Sequence, residues 1–259
     1  MLGAIAGDII GSVYEFIEVK PEYNFELITK YSHFTDDTVL TVAMADSILR
    51  NVDYKLKLYE YYHRYPYAGY GRMFHEWAHK KNAPAYNSFG NGSAMRVSPV
   101  AWAYDDLETV LSEAKKSAEV THNHPEGIKG AQATAASIYL ARKGKSKSEI
   151  KKFVEENFNY LLDYDLEDLR ENYNFNETCQ QTVPQAIFTF LISDDFEDSI
   201  RKAIYIGGDS DTLACINGSI AEAFYGIPQS IIHSILLKLD DHLLSIVNKF
   251  SEKFNIVGN

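Results

Sequence analysis

Two short acidic clusters carry most of the chemistry this sequence offers. Thr35-Asp36-Asp37-Thr38 and Gly207-Gly208-Asp209-Ser210-Asp211-Thr212 each stand at the start of a predicted helix. Hydroxyls and carboxylates there accept orphan backbone N–H bonds and suit the positive end of the macrodipole, so capping accounts for either cluster taken singly. Each nevertheless supplies more carboxylates than a cap uses. If the two helix starts converge, four carboxylates and two threonine oxygens share one small volume, and like charges that close require a cation or raised pKa values. Oxygen-only donors select Mg²⁺, Mn²⁺ or Ca²⁺ over zinc, and this many could hold two ions ~3.5 to 4 Å apart. An EF-hand is excluded, because Leu213 and Ala214 stand where that loop needs a ligand and a glycine. Spacing alone does not establish the convergence.

Other residues offer weaker signals. His75-Glu76-Trp77-Ala78-His79 matches the H-E-x-x-H zinc pattern, but no sheet is predicted beside it and Lys80 and Lys81 follow where a zinc helix stays apolar. Histidines on an ordinary helix explain it better. Asn87 to Arg96 places Gly90 and Gly92 among small polar residues ahead of a helical run. The backbone N–H groups of such a turn can cradle a phosphate, with Arg96 adding charge, or the turn is simply tight. His122, in Thr121-His122-Asn123-His124-Pro125, can bind a ligand or stand in solvent. Glu15, Glu18 and Glu22 fall at the end of an N-terminal helix and in the following loop, where most glutamates face water. Neither Cys179 nor Cys215 has a basic neighbour that would activate a thiol. The tyrosine-rich stretch from Tyr59 to Tyr70 reads as aromatic packing or as the rim of a pocket, and packing is preferred.

The elements that must position these residues are helical. Leu40, Ala43, Met44, Ser47 and Ile48 follow the i, i+3, i+4, i+7, i+8 template, which predicts an amphipathic helix over Asp37 to Leu49. Similar patterns predict helices from Leu107 to Val120, Gly127 to Arg142, Lys147 to Asn157, Val183 to Leu191, Leu213 to Phe224 and Ser230 to Phe250. No alternating β-branched run is bounded by hairpin turns, so the predicted class is all-α. Lys20 to His33, Pro66 to Gly71 and Ala83 to Gly92 read as loops, the usual carriers of binding groups.

Composition bounds the rest. The chain has 259 residues, 46% of them hydrophobic, enough for a substantial core, and no Pro/Gly/Ser linker or repeat divides it, so one domain over 1–259 is expected. A net charge of −11 argues against a sequence-independent grip on nucleic acid or anionic lipid and suits a cationic partner. Two cysteines make no disulfide framework, and the N-terminus shows no basic region ahead of its short apolar run, which Asp8 interrupts. A cytoplasmic monomer with no membrane segment is expected.

Taken in chain order, Gly3 to Glu15 (GAIAGDIIGSVYE), Phe34 to Thr38 (FTDDT), Gly90 to Arg96 (GNGSAMR), Thr121-His122 ahead of Gly127, and Gly207 to Thr212 (GGDSDT) resemble the ADP-ribosyl glycohydrolase family, the group that includes the dinitrogenase-reductase-activating glycohydrolase. The ordered set covers residues 3 to about 228. The resemblance implies an all-α fold with a dinuclear Mg²⁺ or Mn²⁺ centre in a central cleft, held by Thr35, Asp36, Asp37, Asp209, Asp211 and Thr212. It also implies that Gly90, Asn91, Gly92, Ser93, Ala94, Met95 and Arg96 wrap the phosphates and ribose of ADP-ribose. By the same resemblance His122 touches the substrate, Glu15 is a mobile acidic gate, and Asp36 or Glu15 handles protons. The implied reaction is hydrolysis at C1 of the distal ribose through an oxocarbenium-like transition state, releasing ADP-ribose from an arginine or serine side chain or a small molecule. The same carboxylates would also serve a dinuclear-metal nucleotide phosphohydrolase, and a degenerate family member would bind ADP-ribose without turnover.

Overall fold

The computed structural model describes residues 1–17 and 19–256, and Glu18 lies outside them. The described residues form fifteen helices and no strand: α1 (Leu2–Gly11), α2 (Asp36–Arg50), α3 (Tyr54–Arg64), α4 (Arg72–Ala78), α5 (Gly92–Met95), α6 (Ser98–Ala103), α7 (Leu107–Glu119), α8 (Pro125–Arg142), α9 (Lys147–Phe158), α10 (Leu166–Asn172), α11 (Cys179–Leu191), α12 (Phe196–Tyr205), α13 (Ser210–Tyr225), α14 (Gln229–Leu236) and α15 (Asp241–Lys253). None is long and apolar enough to cross a membrane.

Local sequence sets most of the boundaries. Thr35 caps α2 by accepting from the Asp37 N–H, and Asn51 ends the helix in the left-handed region at φ 53°. Pro125 opens α8, and Ser146 with Glu149 forms a reciprocal capping box on α9. Two boundaries differ from the periodicity. The helix expected from Ser230 to Phe250 is two helices, because Asp240 caps α15 with a 2.9 Å bond from the Leu243 N–H and the chain turns there. Helix α11 begins four residues ahead of Val183 and carries Pro184 within it.

The centre of the molecule is α13, buried from Ser210 to Glu222 and packed against α1, α8, α11 and α12. All ten residues of α1 are buried as well. The two helices meet backbone to backbone. A Cβ on Gly3 would stand 2.0 Å from the Gly218 carbonyl oxygen, one on Gly7 would stand 1.9 Å from the Ala214 carbonyl oxygen, and one on Gly11 would stand 2.5 Å from the Asp211 Cα. Glycine at i, i+4 and i+8 therefore does for this pair what no side chain can do. The seam brings the last turn of α1, with Asp8, onto the first turn of α13, with Asp211.

Candidate active site

The starts of α2 and α13 do converge, and α1 joins them. Asp8, wholly buried, is the hub: one of its oxygens accepts from the backbone N–H of Thr35 at 2.9 Å and of Thr38 at 3.0 Å, and the other accepts from the Thr35 hydroxyl at 2.6 Å. Asp8 thus ties the first turn of α2 to α1. Thr35 Oγ1 lies 3.5 Å from Asp211 Oδ2, and the Thr212 hydroxyl donates to Asp37 Oδ2 at 3.2 Å. Single oxygens of Asp8, Asp37 and Asp211 lie within 4.8 Å of one another, as do single oxygens of Glu15, Asp209 and Asp211. Asp211 belongs to both triads.

Capping does not account for this arrangement. Asp209 occupies the cap position of α13 yet makes no side-chain capping bond; its carboxylate accepts instead from the Asn91 amide at 2.6 Å. Asp37 Oδ1 is buried with no hydrogen-bond partner among the described residues. Burial, followed by the neighbouring carboxylates, holds Asp36, Asp37 and Asp211 well above the usual carboxylate range. Burial also raises Asp8 and Asp209. Glu15 is pushed up to about 7, by burial first and then by Asp209. A cluster of carboxylates at raised pKa, with an orphaned buried oxygen and ligand atoms only of oxygen, has the chemistry of a hard divalent-ion site. The left-handed backbone at Gly207 (φ 76°) and Gly208 (φ 84°) lets the chain enter that cluster against Lys20 and Tyr173, where a Cβ would stand 2.7 Å and 2.6 Å from their side-chain carbons.

Sequence reading missed Asp8, although a single carboxylate inside an otherwise Gly/Ala/Ile helix was a usable signal. Of the expected ligands, Asp37, Asp209 and Asp211 sit in the triads, and Thr35 and Thr212 touch them. Asp36 stands outside both triads, half-buried, on the side facing Gly69, whose Cβ would stand 3.5 Å from its Oδ1. The tyrosine stretch divides accordingly. Tyr61 and Tyr62 are core, whereas the Gly69-Tyr70 end borders Asp36.

The glycine loop needs a correction. Asn91 connects it to the site, bonding Thr182 as well as Asp209. Residues Ser93, Ala94 and Met95 are buried in the short turn of α5, and Ser93 donates to the Gly127 carbonyl at 2.7 Å. Arg96, expected to lend charge to a phosphate, is wholly buried, and its guanidinium donates to the Ser117 carbonyl and the Thr121 hydroxyl at 3.0 and 2.9 Å. The helical turn from Gly92 to Met95 swings it inward. His122 packs beneath the loop, its Nε2 only 3.1 Å from where a Gly92 Cβ would be. In α4 the zinc reading fails: Tyr62 Oη lies 2.7 and 3.0 Å from Nδ1 of His75 and His79, and neither histidine belongs to a three-residue ligand group among the described residues.

The sequence profile of ADP-ribosylglycohydrolases matches residues 1–257. The chain belongs to that family. It is 28% identical to ADP-ribosylhydrolase ARH3 of Mus musculus over 310 aligned positions, covering 88% of this chain and 83% of the relative. It is 23% identical to the ADP-ribosylarginine hydrolase Tri1 of Pseudomonas putida (strain GB-1), covering 88% and 70%. A solved ADP-ribosylglycohydrolase-related protein complex superposes with a TM-score of 0.72 at 25% identity, over 97% of this chain and 96% of that one. The protein is therefore an enzyme of ADP-ribosyl hydrolysis, and the all-α fold expected from periodicity is the family's fold. Within that family setting the converging helix starts are its candidate catalytic centre.

Proposed function

We propose that the protein is a hydrolase dependent on two divalent ions, Mg²⁺ or Mn²⁺, that cleaves the bond at C1 of the distal ribose and releases ADP-ribose from an arginine or serine side chain or from a small molecule. The observation that carries the reading is Asp211, shared by two carboxylate triads that between them include Asp8, Asp37, Asp209 and Glu15. Asp37, Asp209, Asp211, Thr35 and Thr212 would hold the ions, with Asp8 behind them and Asp36 completing the set from the Gly69 side. Ions held there would supply Lewis-acid chemistry, orienting ribose hydroxyls and activating water. The protein's own groups supply the rest. Glu15, beside Asp209 and Asp211, can take or return a proton at its carboxylate during attack and departure, and Asp36 is the second candidate for that task. In the Gly90–Gly92 turn the Gly90 and Asn91 N–H groups are already bonded to Ser88 Oγ and the Glu177 carbonyl, so contact with the diphosphate and ribose falls to Gly92 and the His122 imidazole.

One domain over 1–259 is supported by an apolar core that runs from Met1 to Ile256, and we propose that it acts as a monomer in the cytoplasm. The test is purified protein with Mg²⁺ or Mn²⁺ on arginine- and serine-linked ADP-ribose. Intact ADP-ribose as product, lost in Asp211→Ala, is expected. AMP as product would indicate a nucleotide phosphohydrolase, and binding of ADP-ribose without turnover of either linkage would indicate a non-catalytic binder.

A further inference from the structure

We infer that Arg96 and Thr121 are positioning residues that hold His122 as an Nε2–H donor at the Gly90–Gly92 turn. The inference rests on the proposed function for the identity of the ligand, ADP-ribose. The hydrogen-bond chain itself is internal to the protein. Arg96 Nη2 donates to Thr121 Oγ1 at 2.9 Å, and Thr121 Oγ1 lies 2.7 Å from His122 Nδ1. A guanidinium has no acceptor, so it can only donate, and it consumes one lone pair of the hydroxyl. The hydroxyl must still place its own hydrogen. Two side chains face it, His122 Nδ1 at 2.7 Å and the Tyr86 hydroxyl; donation along the 2.7 Å contact makes Nδ1 the acceptor and leaves the imidazole proton on Nε2. Arg96 and Thr121 are fully buried and His122 is 5% exposed, so water does not compete for the chain.

Two further observations give the tautomer a use. Nε2 lies 3.1 Å from the Cβ position of Gly92 and 3.5 Å from that of Gly90, and it has no protein hydrogen-bond partner among the described residues. A nearly buried N–H facing an open backbone turn calls for an acceptor, and a phosphate or ribose oxygen supplies one. With the opposite tautomer a lone pair would face that oxygen. Burial and the Arg96 charge also hold the His122 pKa well below its ordinary value, so the ring donates as a neutral group. Arg96, which sequence reading placed on the substrate, thus acts through two intermediaries.

Long-range ¹H–¹⁵N correlation of the imidazole rings, with His122→Gln to assign the signal, reads the tautomer directly. The wild type, Thr121→Ser and Tyr86→Phe should show the Nε2–H form; Tyr86 is included because its ring centroid is 5.9 Å from that of His122 and its hydroxyl is the other candidate partner for Thr121. Thr121→Val should release the ring to a mixture or to Nδ1–H and weaken ADP-ribose binding, measured calorimetrically with Mg²⁺ present, by roughly tenfold, while Thr121→Ser stays within about twofold. An Nδ1–H signal in the wild type, or a Thr121→Val protein unchanged in tautomer and affinity, overturns the inference. If Thr121→Val does not fold, the wild-type and Thr121→Ser spectra still decide it. If the wild type binds no ADP-ribose, the proposed function falls, and the imidazole spectra still judge the hydrogen-bond chain on its own.

Discussion

Asp8 does two things at one carboxylate. It accepts three hydrogen bonds from the first turn of α2, and it contributes an oxygen to the triad with Asp37 and Asp211. Asp8→Asn keeps the size and loses the charge. It should weaken Mn²⁺ binding, followed by calorimetry, by ~10- to 100-fold with the helical circular dichroism retained; unchanged Mn²⁺ affinity would make Asp8 a structural tie alone. Glu15 sets a second expectation. Its folded-state pKa is raised to about 7, above the ordinary value of 4.5, so the folded protein binds a proton the unfolded chain releases, and this contribution is present below pH ~4.5 and lost as pH rises through about 7. Ion-free protein should therefore melt at lower temperature as pH climbs across that window, and Glu15→Gln should flatten the slope. The residues legible from sequence were those in clusters, Asp36-Asp37 and Asp209-Asp211, because several carboxylates together exceed what capping needs. Asp8 stands alone in its helix, and Arg96 looked like a phosphate ligand because the turn that points it inward is not written in residue type.

At the scale of elements, the convergence of two helix starts depends on a third helix laid against them. Gly7→Ala would force a methyl into the Ala214 carbonyl, and neither backbone can yield without moving its helix. The variant should lose ~1 to 3 kcal/mol or more in denaturant unfolding. Its residual folded fraction should also be impaired in ion binding, because the displacement is passed to Asp8 and Asp211. A Gly7→Ala protein with wild-type stability and ion affinity would show that the seam is looser than the contact distances state. Periodicity revealed most long helices here, since their buried faces repeat at 3.6 residues, but α1 is buried on every side and offers no such contrast. The junction between α14 and α15 was invisible for the opposite reason. Apolar residues continue across it, and only the Asp240 cap marks the break.

For the whole molecule, the net charge of −11 has a local counterpart in the buried carboxylates, whose mutual repulsion the fold tolerates. Saturating ion should relieve it. At a concentration of 100 times Kd, linkage contributes about 2.7 kcal/mol, which for a chain of this size corresponds to a rise in Tm of roughly 5 to 10 °C. Differential scanning fluorimetry with and without Mn²⁺ measures this, and Asp211→Ala should show no ion-dependent shift; a wild-type Tm indifferent to divalent ions would argue against the metal centre. The family was legible because its motifs stand in fixed order along the chain, whereas no short motif in it names the linkage cleaved.

The glycine seam also orders events in time. Helix α1 precedes α2 to α12 in the chain, yet its ten buried residues find their principal partner in α13, whose first turn is made some two hundred residues later. Until then the Gly3-Gly7-Gly11 face of α1 lacks the backbone it fits, and Asp8 has no Asp211. The two carboxylate triads cannot form on a chain cut before Asp211, so in the proposed centre ion affinity would report that α13 has closed upon α1.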